Sequence, residues 1–225
     1  MPRAVIFANG TLPDLQRAHA LLDAHDVILS ADGGYRHVRS LGLWPHTVIG
    51  DMDSLSKDEF AELSQKGVQI KLHPPDKDQS DLELALRFAA DSNFDPLLIV
   101  GGLGGRTDQV LANLGLLASP ALASRQIRMD DGVEEILVCR ERCVINGQIG
   151  DTVSLIPWGG VAGGIETENL KWPLKADYLT PEETRGLSNV MLAETASISV
   201  SFGMLLIAHR RQESTPVLRV KGGQK

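Results

Sequence analysis

The chain has 225 residues, 43% of them apolar, and a formal net charge of −7 with a pI near 5.4. That length and apolar share suit one large globular domain or two small ones, each with a buried core. Scattered rather than clustered Lys and Arg argue against a nucleic-acid backbone as partner, and no apolar run approaches the roughly 20 residues that span a bilayer, so no membrane partner is expected.

In chain order, Met1-Pro2-Arg3-Ala4 leads directly into an apolar run rather than a signal peptide, so the expected location is cytoplasmic. Up to about residue 128, short aliphatic or β-branched runs alternate with stretches of helical period, the pattern of a parallel sheet flanked by helices. The expected strands are Ala4 to Ala8, Val27 to Ala31, Thr47 to Ile49, Val68 to Leu72, Leu97 to Val100 and Gln126 to Met129. A helix is expected over Pro13 to His25. Ser56-Lys57-Asp58-Glu59 and Ser80-Asp81-Leu82-Glu83 both have the Ser-x-x-Glu form of a capping box and open further helices. In the second of these, Leu82, Ala85, Leu86 and Ala89 form the apolar stripe, and Asp81 lies in the first turn beside the positive end of the helix dipole.

Beyond about residue 130 the pattern changes to short alternating runs separated by glycine, which reads as an all-β domain over residues 129–225. Expected strands are Glu135 to Cys139, Cys143 to Ile145, Thr152 to Pro157, Ser197 to Ser201 and Met204 to His209. Gly159 to Gly164 reads as a flexible loop and Val220 to Lys225 as a loose polar tail. Cys139 and Cys143 are the only cysteines; without a Cys/His partner set they read as reduced structural thiols.

The chemistry concentrates in loops that follow strands, where open α/β sheets gather their ligands. In Val48-Ile49-Gly50-Asp51-Met52-Asp53-Ser54 an apolar run stops at glycine and two carboxylates follow with one residue between them. Asp51 and Asp53 suit a helix cap or a turn as well as a metal. With Asp78 and Asp81, four acids meet at strand ends and repel one another unless a cation offsets them. Magnesium is the expected ion, since it takes a few carboxylates and completes its shell with water and phosphate oxygens. Gly101 to Gly105 supplies close backbone approach for a phosphate, or a plain tight turn, and Arg106 is placed to grip phosphate oxygens with two bonds. Asp108 caps the next helix or assists the metal. Asn9-Gly10 and Asp32-Gly33-Gly34 also end strands, and a turn explains them as well as a nucleotide does. His37, His46 and His73 lack metal-site spacing and read as surface or packing residues. Trp44 reads as core, while Trp158 and Trp172 in the β region suit stacking on an aromatic ligand or, the preferred reading, packing.

Taken as an ordered set, these segments resemble thiamine pyrophosphokinase over nearly the whole chain. The match consists of Ala31-Asp32-Gly33-Gly34, Gly50-Asp51-Met52-Asp53-Ser54, Asp78-Gln79-Ser80-Asp81, Gly104-Gly105-Arg106-Thr107-Asp108 with Asn113, and Gly186-Leu187-Ser188-Asn189. The resemblance implies a Rossmann-like nucleotide-binding domain followed by a β-sandwich, and transfer of the pyrophosphoryl group of ATP to thiamine with release of AMP. It also implies a homodimer whose active site is shared between subunits. On it, ATP is bound by Asn9, Asp32, Gly33, Gly34, Gly104, Gly105, Arg106 and Asp108. Thiamine is bound by Asp78, Asp81, Ser188 and Asn189. Magnesium is held by Asp51, Asp53 and Asp81, which with Arg106 form the catalytic set.

Two positions depart from the family pattern. Phe202 to Ile207 lacks the tryptophan that animal and fungal members stack on thiamine, which makes the chain similar to the bacterial branch. Lys77 stands where the family carries a glutamine. Two other readings fit part of the pattern. Asp51-Met52-Asp53 resembles the Asp-x-Asp of magnesium-dependent phosphatases, though those enzymes carry it after the first strand and here it follows the third. A non-catalytic nucleotide sensor is the remaining alternative.

Overall fold

The computed structural model describes residues 1–213. The tail expected over Val220 to Lys225 lies outside the described residues. The chain divides into two compact units between Asp131 and Gly132. The division falls just past residue 128 because the sixth strand of the first unit runs on to Asp130.

The first unit carries β1 (Ala4–Phe7), β2 (Val27–Ala31), β3 (Thr47–Gly50), β4 (Gln69–Leu72), β5 (Leu97–Val100) and β6 (Ile127–Asp130). They lie in the order β6-β5-β1-β2-β3-β4, and all five pairings are parallel. In β1, β3 and β5 every residue is buried, as expected for strands covered on both faces, and this explains their continuous apolar sequences. The edge strand β4 has no fully buried residue and carries Lys71.

The helices are α1 (Leu15–Ala20), α2 (Tyr35–Ser40), α3 (Lys57–Gln65), α4 (Asp81–Asp91) and α5 (Thr107–Leu117). The capping box at Ser56 is complete, with Ser56 Oγ accepting from Glu59 N and Glu59 accepting from Ser56 N. Ser80 caps α4 by accepting from Glu83 N at 3.2 Å, and Leu82, Ala85, Leu86 and Ala89 face the core as expected. α1 is shorter than its apolar pattern predicts. Asp14 caps it, and after Leu21 the chain turns so that Asp26 accepts from Asp23 N at 2.7 Å and from Arg3 Nε at 2.7 Å. This buried ion pair with β1's approach segment overrides the helical period.

The second unit is all-β, with β7 (Glu134–Cys139), β8 (Arg142–Asn146), β9 (Thr152–Pro157), β10 (Ala162–Glu168), β11 (Asp177–Leu179), β12 (Asn189–Val190), β13 (Thr195–Ser199) and β14 (Leu205–Arg210). Antiparallel pairing links β12-β9-β14-β7 on one side and β11-β10-β13-β8 on the other. Val153, Leu155, Leu205 and Ile207 from the first set share one core with Ile145, Ile165, Ala196 and Ile198 from the second, a β-sandwich. Cys139 and Cys143 are free thiols.

One expectation is overturned here. Ala162-Gly163-Gly164, read as part of a flexible loop, opens β10 instead. Gly163 donates to the Phe202 carbonyl at 3.0 Å, and a Cβ there would lie 2.3 Å from Phe202 Cζ. The glycine answers a ring packed against the strand, not a need for freedom.

Candidate active site

β1 pairs with both β2 and β5, so the chain reverses its direction of winding across the sheet beside β1. In such sheets the crevice outside that point is where a ligand sits. The loops leaving β1 and β5 are zipped together there: Ala8 N donates to Val100 O at 2.8 Å, Gly10 N to Gly101 O at 2.7 Å and Thr11 N to Leu103 O at 2.8 Å. A Cβ on Gly10 would lie 2.5 Å from the carbonyl oxygens of Gly101 and Leu103, so the backbones meet only because the side chain is absent. Asn113 reaches from α5 to donate to the Gly102 carbonyl at 2.9 Å, and His37 Nε2 of α2 lies 2.7 Å from the Gly10 carbonyl. His37, read from sequence as surface or packing, therefore latches this loop, and as the donor it carries the proton on Nε2.

Asn9 packs against Gly33, whose Cβ would lie 2.5 Å from Asn9 Nδ2. Asn9, Gly33 and Gly34 thus meet at this end of the sheet, as does Gly104, which abuts Thr11. Gly104, Gly105, Arg106 and Asp108 are exposed. Arg106 Nη2 lies 2.5 Å from Asp108 Oδ2, and Asp108 holds the guanidinium at the start of α5 instead of capping that helix. The pairing pushes the Arg106 guanidinium up and the Asp108 carboxyl down from their ordinary values.

The acids line the ends of β2 and β3. Asp32 follows β2 in the left-handed region at φ 40°, is 6% exposed, and its Oδ1 has no hydrogen-bond partner among the described residues. Gly50, at φ 151°, passes so close that a Cβ would lie 3.0 Å from both Asp32 Cβ and Asp81 Cγ. Met52 adopts φ 62° and buries its side chain with Tyr35, Val48 and Leu63. A plug between two carboxylates keeps both on the open side, where Asp53 N donates to Asp51 Oδ1 at 3.2 Å. Arg36 of α2 holds the same loop by donating to the Ser54 carbonyl and pairing with Glu59.

One oxygen from each of Asp32, Asp51 and Asp53 lies within 4.8 Å of the other two. The expected third acid, Asp81, borders Gly50 as Asp32 does and is bridged to Asp51 by Lys77. Lys77 Nζ is 2.8 Å from Asp51 Oδ2 and 3.1 Å from Asp81 Oδ1, the second an ion pair rather than an aligned hydrogen bond. The Lys77 hydrogen bond holds the Asp51 carboxyl below its ordinary value. Burial pushes Asp81 up, with Lys77 opposing and Asp51 and Asp32 adding to the rise. Burial alone lowers Lys77, but the two carboxylates outweigh it and the net shift is upward. A hard divalent cation fits the Asp32–Asp51–Asp53 group. The donors are all carboxylate oxygens, and Asp32 Oδ1, like Asp81 Oδ1 beside the group, is buried without a hydrogen-bond partner among the described residues, a setting in which a cation offsets the charge. Asp78 is exposed in the loop before α4.

In the second unit Ser188 is exposed at φ 58° and donates from its backbone N to Ser154 Oγ at 3.0 Å. Asn189 is buried, and its amide is committed to the chain: Oδ1 accepts from Trp172 N at 3.0 Å and Val190 N at 2.9 Å, while Nδ2 donates to Trp172 O at 2.8 Å. It acts as a staple for the loop that carries Trp172. That ring is 55% exposed, contrary to the packing role expected of it, because Asn189 anchors its backbone and leaves the side chain outward. Trp44 is half-buried and covered by Arg39 at 3.7 Å from the ring centroid. His46 Nδ1 accepts from Ile28 N at 2.9 Å, a structural role.

Sequence reasoning missed Asp32 as a member of the carboxylate group, His37 as a latch and Lys77 as a bridge. The signal for Lys77 was present in its spacing of four residues from Asp81.

Residues 18–129 match the family model described as "Thiamin pyrophosphokinase, catalytic domain", and residues 142–205 match "Thiamin pyrophosphokinase, vitamin B1 binding domain". The chain is similar to the thiamine pyrophosphokinase of Bacillus subtilis, with 26% identity over 198 residues that cover 87% of this chain and 91% of the relative. A crystal structure of the Bacillus subtilis enzyme superposes with a TM-score of 0.83 at 24% identity, covering 93% of this chain and 99% of that one. The thiamin pyrophosphokinase of Candida albicans superposes at 0.75 with 13% identity, covering 93% and 90%. Together the two models span most of the chain, in the order in which the two units occur, and the chain belongs to the thiamin pyrophosphokinase family.

Proposed function

We propose that the protein transfers the pyrophosphoryl group of ATP to the hydroxyl of thiamine, giving thiamine diphosphate and AMP. The observation that carries this reading is the juxtaposition of a glycine-lined winding switch beside β1 with a carboxylate group containing an orphaned buried oxygen on Asp32. The thiamine hydroxyl oxygen forms a bond to the β-phosphorus of ATP, and the bond from that phosphorus to the oxygen bridging to the α-phosphorus breaks, so that AMP departs with the electron pair. Magnesium, held by carboxylates of the Asp32, Asp51 and Asp53 group, would supply positive charge to the phosphate oxygens.

The chain's own residues do the rest. The closely spaced backbones of the β1 and β5 loops, with Asn9, Gly33, Gly34, Gly104 and Gly105, admit the phosphates. Arg106 swings from Asp108 to neutralise charge on the departing AMP, a form of electrostatic help that dominates such transfers. Asp51 and Asp53 would hold the ion. Asp81, whose buried carboxyl is raised, is the best candidate to orient the thiamine hydroxyl and accept its proton. Asp78 and Ser188 contribute to the thiamine site, with Asn189 shaping it through the backbone of its neighbours. The working form is a homodimer in the cytoplasm.

The phosphatase reading loses support because Asp51 directly follows β3 and not the first strand, where that reading places its Asp-x-Asp. Incubation with ATP, magnesium and thiamine followed by chromatography tests the proposal. AMP and thiamine diphosphate in equal amounts support it. ADP, or inorganic phosphate formed without thiamine, rejects it. Sedimentation equilibrium tests the dimer.

A further inference from the structure

We propose that Cys139 and Cys143 form a reversible disulfide within one chain when they meet a hydroperoxide, with Cys143 as the attacking thiol and Cys139 as the resolving one. Neither residue takes part in the proposed transfer reaction, so the inference stands apart from it.

Three observations carry it. First, each thiol reaches the backbone beside the other. Cys139 ends β7 and Cys143 lies at the start of β8, with a short turn between them. Cys139 Sγ donates to the Ile198 carbonyl at 3.7 Å, and Ile198 stands opposite Cys143 in the pairing of β8 with β13. Cys143 Sγ donates to the Val138 carbonyl at 3.5 Å, one residue before Cys139. The two thiols are also close enough to hydrogen-bond each other. Because β7 belongs to one sheet of the sandwich and β8 to the other, a bond between these sulfurs ties the two sheets together.

Second, the two differ in access. Cys139 is 0% exposed, whereas Cys143 is half-buried at the margin of the same core, so an oxidant from solvent meets Cys143 first. Third, they differ in how firmly they hold a proton. The hydrogen bond from Cys139 holds the Cys143 thiol below its ordinary value, against burial and the Glu135 carboxylate, while the same bond and burial push the Cys139 thiol up. An accessible thiol that ionises readily beside a second cysteine is the arrangement of a redox-sensing pair, and disulfides that form in a reducing compartment are of this transient kind. A metal accounts for the pair less well: among the described residues, the acidic group able to hold an ion contains neither sulfur.

The chemistry needs only the peroxide. Cys143 gives up its proton and its sulfur attacks one oxygen of hydrogen peroxide. The O–O bond breaks, the departing hydroxide takes that proton to become water, and Cys143 is left as a sulfenic acid. The Cys139 sulfur then attacks the Cys143 sulfur. An S–S bond forms, the S–O bond breaks, and the hydroxyl leaves with the Cys139 proton as a second water. Two thiols lose two electrons and one peroxide gains them.

The test exposes the full chain to hydrogen peroxide, unfolds it, treats it with N-ethylmaleimide and counts the added groups by mass spectrometry. The expected product is a single chain that takes no maleimide until dithiothreitol is added and then takes one on each cysteine. Cys143→Ser is expected to slow oxidation of Cys139 by about tenfold or more, and Cys139→Ser to leave Cys143 as a sulfenic acid that dimedone labels. The proposal is overturned if both thiols of the treated parent still take maleimide, if Cys143 goes on to sulfinic acid while Cys139 stays a thiol, or if the bond forms between two chains. Equal rates of Cys139 oxidation in the parent and Cys143→Ser also overturn it. The maleimide count on the parent needs no variant, so it decides the matter should either substitution disturb folding.

Discussion

Gly34 lies directly against the Phe7 carbonyl: a Cβ on Gly34 would stand 2.1 Å from that oxygen, closer than any side chain tolerates. The backbone of Gly34 is ordinary helical, at φ −57° and ψ −20°, so steric contact and not conformation demands glycine. Gly34→Ala is expected to prevent folding or to cost more than about 4 kcal/mol. Gly105 presents the opposite case, with φ 79° and nothing within 4 Å of its would-be Cβ. Gly105→Ala is expected to cost only about 1 to 2 kcal/mol, the penalty of a left-handed residue. Urea unfolding of the two variants beside the parent distinguishes them.

Met52 bears on both stability and the carboxylate pair it separates. It is 8% exposed and packs with Tyr35, Val48 and Leu63. Met52→Ala is expected to lose about 2 to 5 kcal/mol through a cavity. Loosening the loop should also reduce AMP formation by more than the unfolded fraction explains, as read from turnover per folded molecule.

Arg106 is 73% exposed and tied to Asp108, so its removal should leave stability within about 0.5 kcal/mol. Its expected effect is on catalysis. Arg106→Ala should lower kcat/KM for ATP by about 100-fold, and Arg106→Lys should recover only a small part, since an ammonium cannot make two parallel bonds to phosphate. Steady-state rates with varied ATP check both.

Asp51 makes the metal-free protein sensitive to acid. Its folded pKa is lowered by Lys77. The pairing therefore contributes stability fully at pH above the unfolded carboxylate value of about 3.9 and loses it as pH falls through the depressed folded value. Asp51→Asn should flatten this limb of the curve of stability against pH below about pH 4. Chemical denaturation across that range in chelator is the measurement.

Asn189 should behave as a structural residue. Three backbone hydrogen bonds meet its buried amide. Asn189→Ala is expected to destabilise the protein by about 2 to 4 kcal/mol, because buried backbone groups of Trp172 and Val190 lose partners. At a temperature where the variant is folded, its KM for thiamine should rise while kcat stays within a few fold. An unchanged stability with a lost kcat would reject the staple and restore a direct role in the reaction.

Much of the architecture was legible before any coordinates. Val27–Ala31, Leu97–Val100 and Thr152–Pro157 coincide with their expected strands, and the caps at Ser56 and Ser80 open helices where the Ser-x-x-Glu pattern put them. Failures came where a distant partner intervened. The Arg3–Asp26 pair ended α1 early, and the Phe202 ring turned an apparent glycine loop into the start of β10. The short strands β11 and β12 carry too few residues to show a period.

By itself the sequence determined the succession of strands and helices, the two-part organisation and the positions of the acids at strand ends. Apolar period, cap chemistry and turn residues act over a few neighbouring positions, so they can be read without a fold. Only the tertiary structure decided that Asp32 joins Asp51 and Asp53 and that Lys77 bridges Asp51 to Asp81. That choice depends on which strands lie side by side and on where a buried charge finds its counterpart, and such contacts join residues that no local pattern connects.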